Sequence, residues 1–253
     1  MRPLTSSLAL LAALGLAAGS AQAFTPAGSD VVYEVGGEAF EGYLSQAAGE
    51  ARGSVLIVHD WNGLDDYERQ RADMLAEQGY DAFAVDLFGQ GHRPETMEER
   101  QAATRALYQD RERMRALTLA GLDEARAQGA AVPTVVMGYC FGGAVALEIA
   151  RSGEAEEVMG YTSFHGGLGT PEDQSWPTET PPLLILHGGA DTSVTMGDVA
   201  TLAEELEAAE LTYEIQVYSG APHGFTVFGD DRYREHADAR AWSAFLIQLD
   251  EVL

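Results

Sequence analysis

Gly138-Tyr139-Cys140-Phe141-Gly142-Gly143 is the stretch on which the reading of the fold turns. The apolar run Thr134-Val135-Val136-Met137 precedes it, and a short apolar helical stretch, residues 142–151, follows. A buried strand, a turn with glycine two before and two after its centre, and a helix together describe a nucleophile elbow. The central residue of so tight a turn takes a strained backbone conformation, and its side chain stands proud of the sheet at the helix N-terminus. That helix end favours negative charge and so raises the thiolate fraction of a thiol placed there. Cys140 is therefore the candidate nucleophile, at a position where serine is usual. It is the one cysteine of the 253 residues, so no intramolecular disulfide can form.

Outward from the elbow, strand-like runs alternate with helical ones. Residues 54–59, 82–86, 134–139 and 183–187 are near-continuous apolar runs, as in strands buried on both faces. Residues 213–218 alternate, which suits a strand nearer the edge, and 31–35 with 39–44 read as an initial hairpin. Helices are predicted over 65–78, 95–128, 142–151, 195–209 and 233–252, with a surface loop over 169–182. Strands alternating with helices imply an α/β fold with a mostly parallel central sheet flanked by helices on both faces. With the elbow, that is an α/β-hydrolase fold. No repeat or linker divides it.

Hydrolases of this architecture present nucleophile, acid and histidine in that chain order. After Cys140, Asp191 follows a strand and a glycine turn in Leu186-His187-Gly188-Gly189-Ala190-Asp191. His223 follows the next strand, in Ser219-Gly220-Ala221-Pro222-His223-Gly224-Phe225. His223 can exchange a proton near neutral pH, and Asp191 can fix its tautomer and orientation, with Asp198 as the substitute acid. The backbone N–H groups of Trp61 and Phe141 are the candidate oxyanion hole. Asp60 would lie near the thiol, where a carboxylate could hold the thiol's proton or oppose its ionisation by like-charge repulsion. His92 lies in a loop that could touch substrate. His59, His165, His187 and His236 are read as structural or as supporting neighbours of the site, since none has a metal-ligand spacing. Trp61, Phe88, Phe141 and Phe225 are candidates for an apolar wall.

These residues resemble the dienelactone hydrolase family over roughly residues 54–253. The resemblance rests on Val58-His59-Asp60-Trp61-Asn62-Gly63, Asp86-Leu87-Phe88-Gly89, the elbow, Gly189-Ala190-Asp191 and Pro222-His223-Gly224-Phe225. It implies a cofactor-free hydrolase of carboxylic esters or lactones with Cys140, Asp191 and His223 as its triad and a small molecule as its substrate. By the same resemblance Asp60 falls where the family carries a glutamate that takes up the thiol's proton. Arg100 looks like the first of two arginines that bind a substrate carboxylate, while Val227 occupies the place of the second. A non-catalytic small-molecule-binding or thiol-redox protein on the same fold is the alternative.

Composition narrows the partners. Hydrophobic residues make up 46% and charged residues 22% of the chain, as in a globular protein. The formal charge is −25, and all 15 basic residues are arginine. Such a field repels phosphate backbones and argues against nucleic acid as a partner. The absence of lysine excludes a lysine Schiff base. At the N-terminus, Arg2, the apolar run 8–18 and Ala21-Gln22-Ala23 have the order of a cleavable export signal, residues 1–23, implying a periplasmic or secreted protein with a single domain over 24–253. The run is too short to span a membrane. A monomer is the default expectation.

Overall fold

Successive side chains of a strand point to opposite faces, and this builds two cores from one set of strands. In β3 (Ser54–Val58), Leu56 and Val58 join one buried cluster while Val55 and Ile57 join the other. The computed structural model describes residues 24–253, and the expected export signal at 1–23 lies outside them. Eight strands form one sheet: β1 (Ser29–Val35), β2 (Glu38–Ser45), β3, β4 (Asp81–Val85), β5 (Thr134–Tyr139), β6 (Val158–Phe164), β7 (Leu183–Gly188) and β8 (Tyr213–Tyr218). Their order is β1-β2-β4-β3-β5-β6-β7-β8. β1 and β2 pair antiparallel with their neighbours, and β3 to β8 run parallel.

Among the described residues six helices cover the two faces. α3 (Arg111–Ala127), α4 (Phe141–Ser152) and α5 (Met196–Ala208) supply Met114, Leu117, Val145, Ile149, Leu202 and Leu206 to one core. α1 (Asp66–Glu77) and α6 (Glu235–Val252) supply Ala72, Leu75, Ala241, Phe245 and Leu249 to the other. α2 (Met97–Gln109) buries only Leu107. α1, α2 and α5 each start on a reciprocal capping box, which satisfies N–H groups the helix cannot.

Two expectations change. The helix predicted over 95–128 breaks at Asp110, which ends α2 and caps α3 by accepting from the Arg113 N–H at 2.9 Å. β6 lies outside the runs read as strands, because Gly160, Thr162 and Ser163 interrupt its apolar pattern. Thr162 is buried in the sheet and bonds the Gln248 side chain from α6. The parallel arrangement brings the C-terminal ends of β3, β5, β6, β7 and β8 to one edge, where open α/β sheets bind ligands.

Candidate active site

Cys140 sits at φ 53° and ψ −110° between β5 and α4, a conformation that a side chain rarely adopts. The flanking glycines make it possible. A Cβ at Gly142 would overlap the Val58 carbonyl, and one at Gly138 would overlap the Gly142 backbone. The Cys140 N–H donates to the Phe164 carbonyl at 3.0 Å, tying the turn to β6. The thiol is partly accessible.

Asp191 follows β7, in a loop that packs against the backbone after β8: the Ala190 N–H donates to the Ala221 carbonyl at 2.9 Å. Its Oδ1 accepts from the N–H groups of Ser193 and Val194, at 2.8 and 3.0 Å. Its Oδ2 accepts from His223 Nδ1 at 2.7 Å. The opposite ring nitrogen, Nε2, lies 3.1 Å from Cys140 Sγ. The three side chains thus form one hydrogen-bonded chain across β5, β7 and β8. Burial opposes charge on His223, but the bonds to Asp191 and Cys140 outweigh it and raise its pKa to about 10. Burial likewise opposes charge on Asp191, yet His223 and the two amides hold it below the usual carboxylate range. The expected substitute, Asp198, is spent elsewhere, capping α5 through Thr195.

A cavity of about 190 Å³ opens over the sulfur, lined by Asp60, Trp61, His165, Ser193, His223, Gly224, Val227 and Arg232. Phe141 is the first residue of α4. Among the described residues, no protein acceptor takes the N–H of Trp61 or Phe141. Asp60 lines the cavity, but its carboxyl turns into its own loop: Oδ1 accepts from the Asn62 N–H at 2.6 Å and Oδ2 from Asn62 Nδ2 at 3.3 Å. Among the described residues it makes no hydrogen bond to the sulfur, so the geometry does not bring it into the proton-holding contact expected of it. Burial pushes its pKa up to about 7.

Arg100, His92, Phe88 and Phe225, like the Phe141 ring, stand outside the cavity wall. Arg100 donates from Nε to the Pro94 carbonyl at 3.2 Å, with its guanidinium 5.8 Å from the Trp61 ring centroid. His92 is exposed, its ring edge-on to Phe88 at 6.3 Å. Phe88 stacks on Phe141 at 5.8 Å, and Phe225 is fully buried, so both belong to the packing beneath.

Arg232, which the sequence does not single out, reaches the cavity, as does His165, whose expected role was structural or supporting. Arg232 arrives nine residues after His223 and lies over Gly224, where a Cβ would meet its guanidinium at 3.4 Å. Asp230 grips its Nε and Nη2 at 2.9 and 2.7 Å. Turn residues at that distance give no local signal. His165 directly follows β6 at the same sheet edge, its ring 5.4 Å from that of His223. Tyr108 also comes close, its ring edge-on to Phe141 at 5.4 Å.

Comparison with known proteins agrees with this architecture. Residues 40–253 match the model of the dienelactone hydrolase family. The carboxymethylenebutenolidase of Pseudomonas putida is 28% identical, over 74% of this chain and 80% of its own. That of Rhodococcus opacus is 27% identical, over 72% and 74%. The solved structure of "m3DLH" superposes with a TM-score of 0.80 at 32% identity, covering 89% of this chain and 98% of its own. Among the described residues no helix is long and apolar enough to cross a membrane. A match across most of the chain, on a mostly parallel sheet with its elbow at the expected strand end, makes this protein a hydrolase that belongs to the dienelactone hydrolase family.

Proposed function

We propose that the protein cleaves short carboxylic esters or small lactones through the Cys140 thiolate, with His223 as proton carrier and Asp191 as its anchor. The observation that carries this reading is the continuous chain Sγ–Nε2 at 3.1 Å and Nδ1–Oδ2 at 2.7 Å beneath a cavity. Sγ attacks the carbonyl carbon, and the carbonyl oxygen takes up negative charge against the Trp61 and Phe141 N–H groups. As the C–O bond breaks, Nε2–H protonates the leaving oxygen, and a thioester to Cys140 remains. Water then adds to the thioester carbonyl, giving its proton to Nε2. The C–S bond breaks, the acid departs and the thiolate returns. Asp191 keeps the proton on Nδ1, so Nε2 faces the sulfur throughout.

The cavity of about 190 Å³ suits a small acyl group or one lactone ring. The relatives named carboxymethylenebutenolidase support a lactone. Arg232 offers a cation where an anionic substituent would lie, although Val227 stands at the place expected for a second arginine. Export rests on the pattern in residues 1–23, and N-terminal sequencing of protein recovered outside the cytoplasm should start at Phe24.

The direct test is turnover of p-nitrophenyl acetate by wild type, by wild type treated with iodoacetamide, and by Cys140→Ala. Activity should fall to background in the last two. Full activity in Cys140→Ala would remove the nucleophile assignment. Rapid sulfenic-acid formation at Cys140 with peroxide, and no ester turnover, would favour a redox role instead.

A further inference from the structure

His59 has no part in the proton chain, yet it is wholly buried at the end of β3 with both ring nitrogens engaged. The Leu87 N–H donates to its Nε2 at 3.1 Å. A nitrogen that accepts a hydrogen bond carries no proton, so in the neutral ring the proton is on Nδ1. Nδ1–H then donates to the Asp60 carbonyl at 2.6 Å. That carbonyl and the Trp61 N–H belong to the same peptide unit. A trans peptide is planar and directs its C=O and N–H to opposite sides. Fixing one end therefore aims the other.

We propose that His59 is a positioning residue for the oxyanion hole: through the Asp60 carbonyl it aims the Trp61 N–H into the cavity above Cys140. The inference rests on the functional reading above, which gives the Trp61 N–H its role. Three further observations agree with it. The Asp60 N–H on the preceding peptide is held by Glu68 Oε1 at 3.3 Å, from the first turn of α1, so the backbone is pinned on both sides of Asp60. The Phe88 ring packs edge-on to His59 at 4.6 Å and fixes the imidazole plane. Burial lowers the ring's pKa, which keeps it in the neutral form that can accept from Leu87 and donate to Asp60 at once.

Two substitutions separate the two bonds. His59→Asn keeps an amide donor near the Nδ1 position and gives up the Leu87 contact. His59→Gln keeps an acceptor near the Nε2 position and gives up the 2.6 Å bond to the Asp60 carbonyl, which then keeps only the Gly63 N–H at 3.4 Å. With p-nitrophenyl acetate, His59→Gln should lose about 10- to 100-fold in kcat with KM within about twofold, and His59→Asn should recover to within about threefold of wild type. Alkylation of Cys140 by iodoacetamide builds no oxyanion, so its rate should match wild type in both. Wild-type kcat in His59→Gln, equal losses in both variants, or alkylation falling in step with kcat would each overturn the proposal. If neither variant folds, ¹⁵N-histidine spectra of the wild type decide: Nδ1 should stay protonated and Nε2 bare from pH 5 to 9, and the reverse tautomer ends the idea. Failure here with Cys140→Ala inactive sinks only the role of His59. Ester turnover that survives in Cys140→Ala sinks the reading beneath it.

Discussion

Asp191 and Asp60 occupy comparable places with opposite electrostatics. Each follows a parallel strand at the same edge of the sheet, and each is buried, at 8% and 6% exposure. Burial raises the pKa of both, yet Asp191 ends below the usual carboxylate range and Asp60 near 7. The difference lies in their partners. Asp191 receives an imidazole N–H and two backbone N–H groups. Asp60 receives one backbone N–H and a side-chain amide, and Asp65 lies close enough to oppose its charge. Arg100 and Arg232 help it, but neither forms a direct hydrogen bond with it among the described residues. Burial thus does not decide whether a carboxyl is charged; the donors that meet it do.

The largest effect should come from breaking the charged member of this pair. In Asp191→Asn the amide can donate to Nδ1, which drives the ring proton to Nε2 and leaves nothing there to accept a proton from the thiol or from water. We expect kcat for p-nitrophenyl acetate to fall by roughly 10³- to 10⁴-fold with the fold intact. Stopped-flow turnover with circular dichroism on the same sample checks this. A loss below about tenfold would mean that Asp191 does not anchor His223.

The other member should show itself in stability. A carboxyl whose pKa is higher in the fold than in the unfolded chain favours folding while it is protonated. For Asp60 that contribution is complete below its ordinary 3.8 and is lost as pH rises through about 7. Asp60→Asn keeps an oxygen for the Asn62 N–H and has no charge to bury. Relative to wild type it should therefore gain about 1–4 kcal/mol between pH 4 and pH 8. Urea unfolding at the two pH values measures the change. The same offset at both would show that the Asp60 carboxyl ionises without cost in the fold.

The comparison also marks what was legible along the chain. The elbow could be read because every element of it is local: an apolar strand, glycines at fixed offsets and an apolar helix, all within residues 134–151. Asp191 and His223 could be read because each follows a strand that announces itself. β6 could not, since Thr162 and Ser163 look like turn residues until α6 supplies a partner for Thr162 in the interior. With β6 unread, His165 has a structural or supporting place near a strand end and no place in the cavity wall, which it in fact lines. The break at Asp110 carries neither glycine nor proline, and a lone aspartate in a helical run reads as a solvated side chain until its capping bond is seen. The bonds that turn the Asp60 carboxyl away from the sulfur depend on the path of the seven-residue loop 59–65 between β3 and α1. Sequence placed Asp60 near the thiol without showing which way its oxygens face.

Arg232 sharpens the comparison at its smallest expected scale, since it is a cation of the cavity wall near the carboxyl whose pKa burial pushes up to about 7. Its Nε and Nη2 are taken by Asp230, which leaves Nη1 for a ligand, and its side chain is 44% exposed. A desolvated charge-assisted bond contributes about 1.5–3 kcal/mol. Solvent and the shared Asp230 reduce that here, to roughly the 1.4 kcal/mol that corresponds to a tenfold change. Arg232→Gln should therefore lower kcat/KM about tenfold for an aryl ester carrying a free carboxylate on its acyl chain, and leave p-nitrophenyl acetate within about twofold. The wild-type preference for the anionic ester should also shrink as salt is raised, because the guanidinium is open to screening. Equal effects on both esters would assign Arg232 to the packing of the loop over Gly224. The chain's net charge of −25 would then set the preference, against anions.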